Sequence, residues 1–411
     1  MPNPVRSIVA LYRDAFGGLP ALTWLLCIAA FINRAGSMVV PFLGLYLKDH
    51  FGFTATEAGF VIGLYGIGAF FGSWIGGKLT DRLGAVHLQI AALGSSAVWM
   101  LLMTQITNAW LLTAAVFILG ICNDAFRPGS NTAAATSCPP ELRRKALSLN
   151  RLALNLGWSF GPTIGGYLVQ IDFRLMFVVD GATCGLAALW LWKALRGWNP
   201  KPPPRATTSA TGEALDPHHG QPMRDRHFLW LMAANLVVLI AFMQYFTTGS
   251  RVFEESGYSK SQVGWFLALN PIMITLFEMP IVHALRGRSA LPIVAWGSLI
   301  VGLGYLCLLL PYGWIAISLA MIVVAGGELL QMPMLGAYVN DHAPDHARGA
   351  YNGAYAMSFC LALVLAPVLG GALYDYAGAT ALWVACAGGG IVGALGFLLA
   401  GRGAPAEPGA H

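Results

Sequence analysis

Six charged side chains stand inside long apolar runs. Asp124, Asp180, Glu278 and Glu328 are the only four of the 19 acids placed that way, and Arg34 and Arg127 are their basic counterparts. A charge near the centre of a membrane helix costs about 2.5–3.5 kcal/mol on insertion scales, so each of these needs a partner or a task. A carboxyl carried from water into a dry cavity takes up a proton more readily, and the task it suggests is proton coupling. Asp124 and Arg127 are three residues apart and share a side of one helix. They either neutralise each other, or Asp124 serves coupling or substrate. Glu328 lies one residue off the position that corresponds to Asp124 in the second half of the chain, and its strict counterpart is Asn123. Arg34, within Asn33-Arg34-Ala35-Gly36, has no acid within four positions, so its partner must be another helix or a bound solute. Glu278 lies between Pro271 and Pro280, two turns from Arg286, and reads as a helix-end bridge rather than a proton carrier. Asp180 has no assignable partner.

Amide and phenol groups in the same runs add candidate binding surface: Gln244, Tyr245, Asn270, Gln331, Tyr338 and Tyr355. Each alone reads as an interhelical hydrogen bond. Together with nearby Phe and Met they suit an amphiphilic solute better than a sugar or a strong anion. No nucleophile is spaced with a base, and no metal-ligand cluster or phosphate-cradling loop is present, so no enzyme, cofactor or metal is expected. The seven cysteines lack C-x-x-C spacing and predict no disulfide framework. His218-His219 falls in a Pro-rich stretch and reads as solvated linker.

These residues are set in a chain that is 56% hydrophobic and only 10% charged, against about 25% charged in an average soluble domain. Runs of spanning length, about 20 residues each, fall at 22–47, 58–79, 86–104, 110–133, 147–170, 174–196, 227–249, 261–283, 290–310, 313–339, 348–373 and 379–400. The expected fold is an all-α membrane protein of twelve transmembrane helices in two six-helix, pseudo-symmetric halves. Residues 1–196 form the first half and 227–400 the second. Residues 197–226 form a flexible linker, begun by Pro200-Lys201-Pro202-Pro203-Pro204, and 401–411 form a tail. The second half repeats the first at an offset of 205: Gly52, Gly59, Pro128, Arg143 and Pro162 recur as Gly257, Gly264, Pro333, Arg348 and Pro367. Two similar halves that rock about one shared site expose it to either side of a membrane, which points to a transporter. With both termini inside, eighteen of the 24 basic residues fall on the cytoplasmic face. The net charge of +5 therefore reflects topology. No basic stripe with interleaved aromatics signals nucleic acid.

Two motifs sharpen this reading. Gly77-Lys78-Leu79-Thr80-Asp81-Arg82-Leu83-Gly84 joins helices two and three and resembles the G-x-L-x-D-R-x-G loop of the major facilitator superfamily, an established case of such internal repeats. The resemblance covers nearly the whole chain. The usual basic residues after the last glycine are replaced by Ala85-Val86-His87, and the matching loop of the second half, around Arg286-Gly287-Arg288, is degenerate. The resemblance implies a gating latch built from Gly77, Asp81, Arg82 and Gly84, with Glu278 and the helix start at Arg348 as further gating candidates. Gly157-Trp158-Ser159-Phe160-Gly161-Pro162-Thr163-Ile164-Gly165-Gly166 resembles the G-x-x-x-G-P-x-x-G-G signature of the antiporter branch, which includes drug exporters. Its glycines let a neighbouring backbone approach and Pro162 permits a bend. The run from Asn150 to Trp158 looks like that of bacterial multidrug and dipeptide exporters. In the superfamily, helices one, four, seven and ten line the central cavity, which would set Asp124 and Glu328 on it from opposite halves. One departure is that drug antiporters often carry an Arg in the outer part of helix four, where Trp110-Leu111-Leu112-Thr113-Ala114 stands here.

The expectation is a monomeric, proton-coupled antiporter of a bacterial inner membrane, with lipid bilayer, protons and a small molecule as partners. It would export small amphiphilic or drug-like solutes by alternating access. The alternatives are an exporter of short peptides or amino-acid metabolites, a nutrient symporter or uniporter, and a non-transporting receptor.

Overall fold

The computed structural model describes residues 16–201, 221–285, 287–311, 313–344 and 347–403. Most of the linker and of the tail, Arg286 and the side chain of Arg348 lie outside them. The described residues are helical or irregular and hold no strand. The first six helices are α1 (Ala21–Phe51), α2 (Ala55–Leu83), α3 (Ala85–Met103), α4 (Ala109–Thr136), α5 (Arg143–Ile171) and α6 (Arg174–Ala194). They are followed by α7 (Arg226–Glu255), α8 (Lys260–Ala284), α9 (Ala290–Cys307) and α10 (Trp314–His342). Two helices within Arg348–Gly403 close the chain, joined at the non-helical Gly378, whose φ of 76° is open to glycine and few other residues. We number them α11 (348–377) and α12 (379–403).

Ten of these stretches are each long and apolar enough to cross a membrane, the joined pair counting once. α5 is as long but carries Arg143, Arg144, Lys145, Asn150, Arg151 and Asn155 along its first half. Helices cover each of the twelve expected runs, and α5, the most polar, falls outside the ten stretches that are apolar enough to span. We call the face where α1 begins and α12 ends the near face, and the opposite one the far face.

Two helices expected to be continuous are broken. α1 is interrupted between Ala35 and Val39, and α7 between Met243 and Thr248. Gly36 lies at the first break, packed so closely on Thr183 of α6 that no side chain fits there. Breaks of this kind survive in a membrane only where protein groups take up the freed backbone. At the first break, Asp180 of α6 accepts from the N–H groups of Met38 and Val39, both at 3.4 Å.

The loop after α2 is closed from a distance. Gly84 turns the chain with φ 86°. Asn199, just beyond α6, donates to the Leu83 carbonyl at 2.7 Å and accepts from the N–H groups of Val86 and His87 at 2.9 and 3.2 Å. One amide therefore serves the last turn of α2 and the first turn of α3.

On the near face of the second half, Asp225 caps α7 by accepting from the Phe228 N–H at 2.9 Å. Its other oxygen accepts from His342 of α10 at 2.7 Å and from the Tyr351 hydroxyl of α11 at 2.9 Å. Burial acts to raise the Asp225 pKa, but the bonds from Phe228, His342 and Tyr351 outweigh it and hold the carboxyl below its usual range. A depressed carboxylate stabilises the fold above its unfolded pKa, about 3.9 for Asp, and that contribution is lost as pH falls through the folded value. Asp225→Asn keeps a capping oxygen but gives up the charge-assisted bonds from His342 and Tyr351, so it is expected to destabilise the protein by about 1 kcal/mol at neutral pH, the difference between a hydrogen bond to a charged group and one to a neutral group. Thermal melts in detergent should show the gap between parent and variant narrowing below about pH 4; a gap that widened there would refute the assignment.

Candidate functional site

The offset of 205 places two polar pairs on matching helices. Asn123 of α4 donates to the Tyr65 hydroxyl of α2 at 3.4 Å, and Asn270 of α8 donates to Glu328 of α10 at 2.7 Å. Tyr65 corresponds to Asn270, and Asn123 to Glu328. The first pair is neutral and the second holds a carboxylate. Tyr245 of α7 extends the second pair by donating to the Asn270 carbonyl oxygen at 3.3 Å.

The charged residues fall into two groups. Asp124 meets Arg127 at 3.4 Å across one turn of α4, and the Arg127 side chain is 52% exposed. Glu328 forms no ion pair among the described residues, and the amide of Asn270 is its polar contact. Arg34 likewise pairs with no acid among the described residues. Its guanidinium lies over the Trp158 ring of α5, 5.5 Å from the centroid, a cation–π contact that attracts the charge without neutralising it. Asn33, beside Arg34, accepts a weak bond from Cys184 at 3.4 Å, next to the Asp180 cluster.

Trp158 also reaches the second half. Its ring is 6.3 Å from Phe246, which is 5.0 Å from Tyr245. A continuous path thus runs from Arg34 through Trp158, Phe246, Tyr245 and Asn270 to Glu328. It crosses between the halves with a cation at one end, a carboxylate at the other and aromatic rings between.

Other candidates sit elsewhere. Gln331 of α10 is buried and donates to Asn235 at 2.8 Å, which donates to Ser358 at 2.8 Å. Gln244 donates to the Ala366 carbonyl at 2.7 Å beside the break in α7. Tyr355 reaches the Met332 carbonyl at 3.4 Å, and Tyr338 shares a hydrogen with His227 at 2.9 Å. Glu278 is bound by Arg151 of α5 at 2.9 Å, with Asn155 at 3.5 Å. It bridges two helices of different halves, where the sequence pointed to Arg286. Arg151, Trp158 and Tyr65 had not been singled out. Arg151 lies near the end of its apolar run, where a cation ordinarily marks the membrane edge. The repeat offset held the signal for Tyr65, as the counterpart of Asn270.

The glycine run of α5 forms a seam. A side chain at Gly157 or Gly161 would press on the α1 backbone, at 2.7 Å from Phe31 O and 2.6 Å from Ser37 O. One at Gly165 would meet the Met38 side chain at 2.7 Å, and one at Gly166 would meet Lys260 O of α8 at 2.6 Å. A side chain at Gly264 of α8 would collide with the carbonyl of Pro162. The repeat builds a second seam: Gly59 of α2 faces the carbonyl of Pro367, and Gly371 of α11 faces the carbonyl of Ala55, again with no room for a side chain. Ion pairs cross the halves beside the seams, Lys48–Glu254 at 2.8 Å, Lys48–Glu255 at 3.2 Å and Lys260–Asp49 at 2.5 Å. Arg251 also donates to the Phe53 carbonyl at 3.0 Å. The far face is shut.

A sequence profile described as Major Facilitator Superfamily matches residues 26–327 and 252–410. The chain belongs to the major facilitator superfamily. As a major facilitator it is a multi-pass membrane transporter and not an enzyme. It is 26% identical over 331 residues to the uncharacterized MFS-type transporter YqjV of Bacillus subtilis, covering 78% of this chain and 79% of that one. It is 23% identical over 308 residues to the quinolone resistance protein NorA of Staphylococcus aureus, covering 74% and 78%. The multidrug resistance protein MdtG of Proteus mirabilis is 28% identical over 202 residues, 47% of this chain and half of that one. Among solved structures, a POT family transporter in complex with 5-aminolevulinic acid superposes with a TM-score of 0.80 at 16% identity, covering 93% of this chain and 96% of that one. The nucleoside transporter NupG superposes with 0.74 at 17%, covering 92% and 99%. These two likenesses concern the fold alone.

The Asp81 side chain of this major facilitator's signature loop is unengaged. Asp81 and Arg82 are exposed, Asp81 makes no hydrogen bond or ion pair among the described residues, and a side chain at Gly77 would meet nothing within 4 Å. A groove of about 440 Å³ lies between α2, α7 and α11, lined by Ile67, Phe70, Leu229, Met232, Met357 and Leu361 among others. None of Arg34, Asp124, Arg127 or Glu328 lines it, and its walls are nearly all apolar, so it is separate from the polar path.

Substitutions at the seams should report this arrangement. Gly59→Ala or Gly264→Ala places a methyl group against a carbonyl on the far face, so closure there should weaken. Amide hydrogen exchange in the first turns of α2 and α8 is expected to quicken severalfold, while Gly77→Ala leaves it unchanged. Equal exchange in all three variants would mean the seams do not hold the far face.

Proposed function

We propose that this transporter is a proton-coupled antiporter exporting small amphiphilic or drug-like solutes by alternating access. The observation that carries the reading is the path from Arg34 to Glu328. It offers an amphiphile an aromatic surface at Trp158 and Phe246, with one unneutralised charge at each end. Glu328 is the better proton carrier of the two cavity acids. Asp124 already has a cation at 3.4 Å one turn away, whereas the hydrogen bond to Glu328 comes from the neutral amide of Asn270. The relatives named for multidrug and quinolone resistance support export of drug-like solutes. The positive-inside balance supports a cytoplasmic near face, with both termini and the 197–226 segment on that side, and the bacterial relatives support an inner membrane; in this reading the working unit is a monomer. The structure then corresponds to an inward-facing state.

Opposite charges at the two ends of the path favour a second reading, export of short peptides or amino-acid metabolites. Purified protein in liposomes, with an imposed pH gradient and a panel of dyes, drugs and dipeptides, separates the two. Glu328→Gln should lose at least tenfold of pH-driven transport while substrate exchange without a gradient persists. Asp124→Asn should lose less. Full pH-driven transport in Glu328→Gln would move the proton site elsewhere.

The signature loop is the proposed inner latch. Asp81 is the acid placed to meet the N-terminus of α11 near Arg348 when the near face closes, since free N–H groups there carry about half a positive charge. Gly77 would allow that approach. Asp81→Asn should raise the inward-open population about tenfold, the ratio that ~1.4 kcal/mol supports. Distances between spin labels on the near ends of the two halves measure it, and an unchanged distribution would leave Asp81 as a simple turn residue.

A further inference from the structure

The two far-face seams match in backbone and differ in one side chain. In the α5/α8 seam, Gln170 reaches the Ser261 hydroxyl at 3.1 Å. In the α2/α11 seam, the repeat puts Asp375 in place of Gln170 and Thr56 in place of Ser261. Asp375 accepts three hydrogen bonds from the first turn of α2: the Ala55 N–H at 3.2 Å, the Thr56 N–H at 2.7 Å and the Thr56 hydroxyl at 2.6 Å.

These contacts complete the N-terminus of α2. Thr54 takes the Glu57 N–H and Glu57 returns a bond to the Thr54 N–H, a full capping box. That leaves the N–H groups of Ala55 and Thr56, and both point to a carboxylate from the other half of the molecule. α8 starts with the same box, Ser259 with Gln262. Its next two N–H groups meet no carboxylate among the described residues, and the Lys260 side chain is bound to Asp49. Gly371 stands one turn before Asp375 and allows the α11 backbone against Ala55; this close approach brings the carboxylate within reach.

We propose that Asp375 is the latch of the far face, and that it opposes Asp81. This rests on the reading of alternating access. When the far face is shut, a carboxylate of α11 holds the N-terminus of α2. When the near face is shut, a carboxylate of α2 holds the N-terminus of α11. The two helices exchange one kind of contact between opposite ends, and the α5/α8 seam carries a neutral version of the far-face contact.

Spin labels at positions 105 and 310, on far-face loops of the two halves and outside both seams, test this in a background with the seven free cysteines replaced. Asp375→Asn should raise the ratio of far-open to far-closed molecules about tenfold. Thr56→Ala, which removes one donor and keeps the carboxylate, should shift it the same way by less. Gln170→Asn, which shortens the neutral contact and changes no charge, should shift it little. A distance distribution unmoved by Asp375→Asn and by Thr56→Ala overturns the latch. So does an equal shift from Gln170→Asn, which would assign the effect to packing. Transport under a pH gradient is measured on the same variants. Unmoved distances with intact coupled transport reject the latch alone. Shifted distances in a protein that fails to couple protons reject the antiporter reading and keep the latch.

Discussion

The halves of this transporter meet by letting a backbone carbonyl of one helix lie where the other helix would carry a side chain. Gly264 against Pro162 and Gly59 against Pro367 are the same contact made twice. Lipid tails are as apolar as leucine, so helices in a membrane gain little from hiding apolar surface against one another. Close packing and hydrogen bonds must hold them. A glycine facing a carbonyl gives the closest packing available, and it is sensitive to distance: a shift of an ångström forfeits much of the dispersion attraction. Such a contact is made or broken as a unit, which suits a protein that alternates between two shapes.

The charges follow from that geometry. With the far face sealed, ions there sit beside the seams and pair across them, as Lys48 does with Glu254. Deeper in, the carboxylates find three kinds of neighbour. Asp180 takes N–H groups at the break of α1, Glu278 takes Arg151, and Glu328 takes an amide. Only the last arrangement leaves a carboxylate without a cation or a helix end to hold its charge. The repeat relates Glu328 to Asn123, so the second half carries the ionisable version of a contact that the first half makes with neutral groups. A fold duplicated in sequence has become unequal in charge, and the unequal positions are where its chemistry is proposed.

Much of this was legible in the residues. The offset of 205 aligned Gly59 with Gly264 and Pro162 with Pro367, and those four positions turned out to face one another in pairs across the halves. The apolar runs located the helices to within a few residues. The breaks in α1 and α7 were not legible, because hydropathy does not distinguish a continuous helix from two arms joined by three or four residues. Gly36 and the Gln244–Thr248 stretch were the available hints. Asp180 had no partner in the sequence because its partners are backbone N–H groups of another helix. Arg151 was lost for the opposite reason: a cation at the end of an apolar run looks the same whether it meets water or a buried acid.

The two seams are therefore not equivalent hinges. Toward the near face, α5 and α8 remain joined by Arg151, Asn155 and Glu278, and by Ser148 against Met279 at 3.9 Å. α2 and α11 part at the same depth, and the apolar groove walled by Phe70, Met232 and Leu361 lies there. The ion pair at 2.9 Å between the half-exposed Arg151 and the largely buried Glu278 resists separation, because parting them leaves a shielded carboxylate without its cation. Among the described residues, the α5/α8 edge is tied toward both faces, while the polar and close-packed ties of the α2/α11 edge lie toward the far one. The edge with the weaker near-face tie is also the edge that carries Asp375 at one end and Asp81 at the other, so both carboxylates sit on the boundary that has the most freedom to move.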